Sequence, residues 1–353
     1  MPRGMGGCYR QRRTRCFMSS TFLRYIAQRV VQCILVIFIG ITITFLVPRF
    51  SPTDPVEAAV NRAMMMGQYS HPDAVRMMKE ALTKMYGLDG TLGQQYIRFW
   101  KGLLSGDLGP SLSSFPKPVM SLIRTSLPWT AGLLLVSAII SWTVGNLLGC
   151  LAGYFGNQRW SQVIGMIAMA LHPIPYYIMA FVLLVALAYV IPVFPIGGAV
   201  DIGLKPSLGW IYISSLLRHA FLPALSLVLI GVGGWFIGMR TLVTNVVAED
   251  YVTYAKYAGV SDRTIMYQYV MKNALLPQIT GLAMQIGLIF NGALITEYVF
   301  SYPGLGYLAY NAIFTGDYSL IMGVAIFSIV GVSLAVLLID LAYPLFDPRV
   351  KYQ

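Results

Sequence analysis

Charged residues are scarce in this sequence. Asp, Glu, Lys and Arg make up 11% of its 353 residues, whereas apolar residues make up 57%. Soluble globular domains carry about 25% charged and about 45–50% apolar residues. The shortage of charge excludes an ordinary water-soluble domain and predicts that much of the chain lies in lipid. The net charge of +11 does not indicate nucleic-acid binding, because no basic motif with interleaved aromatic residues is present.

Motifs for metal binding, catalysis and nucleotide binding are also missing. The four cysteines form no C-x-x-C pair, so neither a zinc site nor a disulfide framework is predicted. The sequence contains no H-E-x-x-H and no G-x-S-x-G, and its three histidines are scattered, which argues against a membrane enzyme. It contains no G-x-x-x-x-G-K-[ST] loop to hold ATP phosphates. We therefore expect no catalytic residue, cofactor or metal ligand in this chain.

The sequence is rich in long apolar runs. A membrane-spanning helix needs about 20 mostly apolar residues. The sequence predicts an all-α polytopic membrane protein with six transmembrane helices, at 29–48, 128–153, 162–191, 220–243, 276–297 and 320–342. An ion channel or secondary transporter would require charges within the spans. Only Asp340 and Glu297 come close, and both lie near span ends.

The distribution of arginine predicts the orientation. Residues 1–28 are rich in arginine and contain no acid, which places this N-terminal segment, and with six spans also the tail 343–353, in the cytoplasm. Residues 49–127 then form a small extracytoplasmic lobe with amphipathic helices, one of them closed by Gly87. Residues 1–17 have no apolar period, and we expect Met18 to be the native start.

The loop at 244–275 is polar and rich in tyrosine, although it lies between two apolar spans. Glu249 and Asp250 suit the N-terminus of a short helix, Gly259 suits its end, and Ser261 suits the cap of a second helix that ends near Asn273. The residues alone leave two interpretations open. The loop is either a docking element for another protein or an interfacial helix with its tyrosines at the headgroups.

Polar residues near the middle of spans mark either a pathway or the packing between helices. Asn146, Gln285 and Asn291 are of this kind, and both roles stay open for them. His172 is either a ligand or gate residue or a hydrogen-bonded structural histidine. Two prolines that follow it predict a kink in the third span.

A stripe of glycines predicts a close contact between two helices. Gly145, Gly149 and Gly153 are four residues apart in the second span and lie on one face of a helix.

Several motifs in order resemble one family. The segment 249–277, with its tyrosines, Gly259 and KNALLP ending, resembles the cytoplasmic coupling loop of ABC importer permeases of the peptide/nickel branch. The stretches 86–111, 172–185, 296–318 and 338–351 resemble the outer lobe, third span, outer loop and C-terminal signature of that branch. The resemblance covers nearly the whole chain from about Phe22. The chain departs from the family at Ala258, where a basic residue is frequent.

The resemblance implies partners and roles. Such a permease forms half of a substrate pathway, and a second homologous permease, two cytoplasmic ATPases that bind ATP and Mg, and an extracytoplasmic binding protein complete the importer. The coupling loop docks on an ATPase, and Glu297 and Asp317 either face the binding protein or cap local structure. The residues expected in ATPase coupling are Glu249, Asp250, Tyr251, Tyr254, Ala255 and Gly259.

The substrate class is open at this point. The branch includes importers of di- and oligopeptides, of oligosaccharides and of nickel. Nickel would favour several His, Cys or carboxylate ligands along the pathway, and His172 is alone in its span. Peptides are the leading expectation and oligosaccharides the alternative.

Overall fold

A computed structural model describes residues 20–50, 55–65 and 72–346. The predicted extension 1–17 and most of the predicted tail, 347–353, lie outside these residues. The described part of the chain is helical and contains no strand. Five of its helices are long and apolar enough to cross a membrane, and a bent helix pair makes six if it counts as one span. The predicted all-α polytopic fold is confirmed.

The helices are numbered in chain order. The first four are α1 Ser20–Phe50, α2 Pro55–Met65, α3 Pro72–Met85 and α4 Leu92–Leu104. The next four are α5 Val119–Tyr154, α6 Arg159–Leu171, α7 Tyr176–Leu184 with a π-helical extension Val185–Val190, and α8 Trp210–Val247. The rest are α9 Asp250–Tyr257, α10 Asp262–Thr264, a π-helical stretch Ile265–Met271, α11 Lys272–Gly287 with a 3₁₀ turn Leu288–Asn291, α12 Leu294–Val299, α13 Leu305–Thr315 and α14 Tyr318–Phe346.

Several helices extend beyond the predicted spans. The predictions 29–48 and 128–153 cover only the apolar parts of α1 and α5, because hydropathy marks the part of a helix that suits lipid, whereas its backbone hydrogen bonding continues into polar residues. The last residues of the predicted lobe, 119–127, therefore belong to α5. The fifth span was predicted at 276–297. The structure instead has a continuous helical run from Asp262 to Asn291. That run ends at Gly292, whose φ of +70° is left-handed.

The third predicted span is broken. The helix α6 ends at Leu171, α7 begins at Tyr176, and the two are bent by 95°. Pro173 and Pro175 lie in the break and lack the backbone N–H that would continue the helix. The predicted kink is confirmed, but it divides the segment 162–191 into two helices.

The glycine stripe of α5 lies against α8, with which α5 makes its most extensive contact. A Cβ atom built on Gly149 would lie 2.6 Å from the carbonyl oxygen of Phe236, and one on Gly153 would lie 2.8 Å from Cβ of Val243. Gly145 is as tightly enclosed. These distances are too short for real side chains, so the predicted close contact between helices is confirmed.

The segment between α1 and α5 carries the helices of the predicted lobe. Gly87 follows α3 with a φ of +60°, as its position at the predicted helix end requires. Val56, Val60 and Leu82 form a buried cluster between α2 and α3. The guanidinium of Arg98 lies 2.5 Å from the Asp89 carboxylate and holds the pKa of that carboxyl below its usual range.

Candidate functional site

The loop between α8 and α10 contains one short helix, α9. Glu249 occupies its N-cap position and Asp250 its first turn, where acids suit the helix dipole. Gly259 follows with a φ of +74°, and its N–H donates to the carbonyl of Lys256 at 3.1 Å. The helix and its glycine stop are therefore confirmed.

The second helix differs from its prediction. Ser261 caps it, since its hydroxyl accepts from the N–H of Thr264 at 3.4 Å. The helix does not stop near Asn273 but continues without a break through α10 and the π-helical stretch into α11. No glycine or proline lies between 262 and 276 to interrupt it. The chain after Gly259 is therefore the beginning of a spanning helix.

The buried face of α9 packs on the ends of the spanning helices. Val252 has no exposed surface and Ala255 is 8% exposed. Both belong to a cluster, called the α9 cluster below, that joins α9 to α5, α8 and α11. Its other buried members are Cys150, Met239, Val243, Ile265, Met266, Val270 and Ala274.

The exposed face of α9 carries tyrosines. The side chains of Tyr254 and Tyr257 are 72% and 86% exposed, and that of Tyr251 is 39% exposed. The prediction that Ala255 lies on the docking face is wrong, because this side chain contacts the chain's own core. Tyr257 belongs to the exposed face and was not among the predicted residues. The spacing of residues along α9 does not by itself show which side of this helix packs against the spanning helices.

Polar contacts also fix α9 to two spanning helices. The Tyr154 hydroxyl at the end of α5 donates to the Asp262 carboxylate at 2.8 Å, and the Lys256 ammonium lies 5.7 Å from the centre of the Tyr154 ring. The Asn273 amide donates to the Tyr251 hydroxyl at 3.1 Å. These contacts surround a close-packed cluster that holds α9, α5 and α11 together.

A cavity of about 430 Å³ lies between α5, α7, α8 and α11. Gln285 and Asn291, two of the predicted pathway or packing residues, line it. Asn146 does not line it. That residue is 2% exposed, and its amide donates to the carbonyl of Trp142 at 2.7 Å, which is a packing environment. His172 is the C-cap of α6, its ring lies against Gly234, and it does not line this cavity.

Glu297 is fully buried. Its carboxylate accepts from the Thr130 hydroxyl of α5 at 2.9 Å and also holds the loop between α12 and α13 closed on itself. The other donors are the N–H groups of Ala293, Gly306 and Tyr307, at 3.3, 2.7 and 3.2 Å. Burial and the charge of Glu297 raise the pKa of Tyr302, in the same loop, to about 12.

Asp317 is the second buried acid, with no exposed surface. It accepts from the Ser111 hydroxyl at 2.5 Å, from the N–H of Ser113 at 2.9 Å and from the N–H of Leu320 at 3.1 Å. It thereby caps α14 and ties the start of that helix to the segment before α5. The predicted binding-protein-facing role is wrong for Glu297 and Asp317, because neither carboxylate reaches the surface. Local capping, the other interpretation, agrees with the contacts.

The geometry first defines a class. The chain is a multi-pass helical membrane protein whose surface helix is fixed to the ends of spanning helices that enclose a cavity. Residues 145–352 match the family described as binding-protein-dependent transport system inner membrane component, and residues 22–133 match its N-terminal companion. The chain therefore belongs to this family of inner-membrane transport components, and the resemblance to ABC importer permeases is confirmed.

Named relatives are similar over nearly their whole length. The di/tripeptide transport system permease protein DppB of Pseudomonas aeruginosa is 29% identical over 94% of this chain and 99% of its own. The oligopeptide transport system permease protein AppB of Bacillus subtilis is 29% identical over 93% and 99%. OppB of Haemophilus influenzae, an oligopeptide transport system permease protein, is 28% identical over 94% and 100%. All three are permease subunits, so the chain is a transport subunit.

Proposed function

We propose that this chain forms half of the transmembrane pathway of an ABC importer for di- and oligopeptides. A second, homologous permease supplies the other half, so that the two form a heterodimer. Two ATPase subunits bind ATP and Mg, and an extracytoplasmic binding protein delivers the peptide. The assembly lies in the cytoplasmic membrane of a bacterium or archaeon.

The observation that carries the proposal is the two-sided character of α9. Its outer face presents Tyr254 and Tyr257, and its inner face is packed into the α9 cluster. An interfacial helix would bury its apolar side in lipid, whereas this apolar side is already buried in protein. ATP-driven closure of the ATPases would move α9 as a lever and swing α5 and α11 with it.

The orientation follows from the positive-inside rule. The arginine-rich segment 1–28 lies in the cytoplasm together with the tail and α9, and the lobe lies outside. This arrangement puts α9 on the side where ATP is available.

Peptides are the substrate class that the relatives' names support. The lining of the cavity adds a second argument, since its polar side chains are hydroxyls and amides. Such groups suit an uncharged polar chain better than a nickel ion, which favours imidazole and thiolate ligands. An oligosaccharide importer is the alternative.

The test is the ATPase activity of the transporter reconstituted with its binding protein. We expect a pool of di- and oligopeptides to stimulate ATP hydrolysis and a pool of oligosaccharides to have no effect. Stimulation by oligosaccharides alone would overturn the substrate class and leave the role of α9 untouched.

Loss of the exposed tyrosines should release the ATPases. Tyrosines are enriched among the residues that dominate interfaces, where truncation costs about 2 kcal/mol or more. We therefore expect the double variant Tyr254→Ala, Tyr257→Ala to weaken ATPase binding by at least about thirtyfold. The measurement is the amount of ATPase that co-purifies with the permease in detergent.

Phe115→Ala is the matched control, since Phe115 is an aromatic residue, 61% exposed, in the segment before α5. It should leave co-purification unchanged. Full retention of the ATPases by the double tyrosine variant would contradict docking at α9.

A further inference from the structure

The lining of the cavity between α5 and α11 is mainly aliphatic, with a few polar but uncharged side chains. Four small polar side chains, those of Ser137, Ser141, Gln285 and Asn291, line it together with the Tyr176 ring and mainly aliphatic groups. Among the residues that the structure describes, no charged side chain lines it. Its volume of about 430 Å³ lies within the range of small-molecule sites, about 300–1,000 Å³.

Two of these polar groups have no partner within the described part of the chain. Ser137 is 3% exposed and its hydroxyl makes no hydrogen bond, and the same is true of the buried side-chain oxygen of Gln285. A buried polar atom without a hydrogen bond costs about 1–3 kcal/mol. In the wall of the cavity, Ser137 therefore has one unused donor and Gln285 one unused acceptor.

The neighbouring Ser141 leaves the Ser137 hydroxyl without a partner. The Ser141 hydroxyl donates to the backbone carbonyl of Ser137 at 2.6 Å, so it does not satisfy the Ser137 hydroxyl. Gly231 of α8 faces this turn, and a Cβ atom there would lie 2.7 Å from the Ser141 oxygen. A side chain at Gly231 would therefore crowd the lining. Ser137 itself lies halfway along α5.

We infer that this cavity binds the backbone amide of a passing peptide, with the Ser137 hydroxyl donating to its carbonyl and the Gln285 oxygen accepting from its N–H. This assignment rests on the proposed function. A peptide amide carries both the acceptor and the donor that these two groups lack, and the aliphatic surroundings accept neutral side chains. A sugar ring carries several hydroxyls, and most of them would find no partner here. Charged groups of the peptide must remain outside, because nothing in the lining neutralises them.

The experiment pairs a protein variant with a change in the ligand. Gln285→Leu and wild type are compared, in the complete transporter with its binding protein, on a dipeptide and on its depsipeptide analogue. In the analogue an ester oxygen replaces the single amide N–H. The ratio of variant to wild-type uptake is taken for each ligand, so that any preference of the binding protein cancels.

We expect Gln285→Leu to lower uptake of the dipeptide about tenfold and uptake of the depsipeptide less than about twofold, because only the dipeptide has an amide N–H that loses its partner. Ser137→Ala should lower uptake of both ligands, since both keep the carbonyl. Gln278→Leu is the matched control, because Gln278 lies on α11 but not in the cavity. It should affect both ligands equally.

Equal ratios for the two ligands in Gln285→Leu would overturn the amide site and leave peptide import standing. Wild type that takes up neither ligand would overturn both this site and the proposed function. The yield of monodisperse protein identifies a variant that fails to fold, and Gln285→Met, which preserves more of the side-chain shape, then replaces Gln285→Leu in the same comparison.

Discussion

Gly259→Val is expected to abolish ATP-driven uptake while the chain still inserts into the membrane. The backbone of Gly259 has a φ of +74°. A left-handed conformation costs an ordinary residue about 1–2 kcal/mol, and a β-branched residue is a genuine outlier there. No atom would obstruct the new side chain within 4 Å, so the strain is in the backbone. When the backbone at residue 259 changes conformation to relieve this strain, α9 turns relative to α10.

Turning α9 would break the route by which it moves the spans. The contacts of Lys256 and Asp262 with Tyr154 depend on the angle between α9 and α10. Tyr254 and Tyr257 would also leave the position in which an ATPase meets them. The measurement is uptake into proteoliposomes, together with the amount of permease in the membrane.

Gly106→Val is the matched control for this prediction. Gly106 also follows the end of a helix, has a φ of +75° and has no neighbour within 4 Å of an added Cβ atom. It lies after α4, far along the chain from α9, so its substitution imposes the same strain without moving α9. Gly259→Asn should retain most of the uptake, since asparagine tolerates the left-handed conformation. Normal uptake by Gly259→Val would remove the basis for treating α9 as a lever.

The sequence predicted the features that depend on local patterns. Apolar runs located the spanning helices, the spacing of Gly145, Gly149 and Gly153 marked the face of α5 that packs closely on another helix, and Gly259 marked the end of α9. Each of these signals lies within a few turns of helix and needs no knowledge of distant residues. The bend at Pro173 was predicted for the same reason, but its angle depends on what α6 and α7 pack against.

Features that depend on distant residues could not be predicted. Because Glu297 borders the outer face at the end of an apolar run, the sequence left two roles open for it, contact with a binding protein and local capping. It is buried by Thr130, which is 167 positions away, and by the loop that follows. One local signal pointed to this closure: Gly304 and Gly306 follow Glu297, and a Cβ atom on either would collide with the Glu297 carboxylate or with Leu294. Glycines at such spacing indicate a close approach of the backbone.

Which face of α9 packs against the spanning helices could not be predicted for a similar reason. Its tyrosines lie on one face, but Ala255 lies between Tyr251 and Val252 around the helix, so the helical repeat fits an alanine on either the exposed or the buried face. The α9 cluster decides the matter, because α5, α8 and α11 enclose Val252 and Ala255 and leave Tyr257 outside. Only the packing of the spanning helices contains that information.

Gly149→Leu should be the most damaging substitution for the fold. The added Cβ atom alone would lie 2.6 Å from the Phe236 carbonyl oxygen and 2.9 Å from Cβ of Met239. Neither the backbone nor the first atom of a side chain can move aside, so α5 and α8 must separate. Insertion of extra atoms into a packed core costs about 1–3 kcal/mol when the surroundings can adjust, and more when they cannot.

Separation of α5 from α8 would reach both functional regions at once. Met239 and the neighbouring Cys150 belong to the α9 cluster, and the cavity that contains Ser137 lies between the same two helices. We therefore expect Gly149→Leu to yield little monodisperse permease in detergent and to lower the melting temperature of what remains. Gly149→Ala should have a smaller effect in the same direction.

Gly132→Leu on the same helix separates the effect of close packing from that of helix propensity. Gly132 is exposed, and a Cβ atom there would meet nothing within 4 Å. Because leucine favours helix over glycine by somewhat less than about 1 kcal/mol, this variant should be as stable as the wild type or more so. If the two leucine variants behaved alike, the glycine stripe would not be what holds α5 against α8, and the link between α9 and the cavity would have to run through α11 instead.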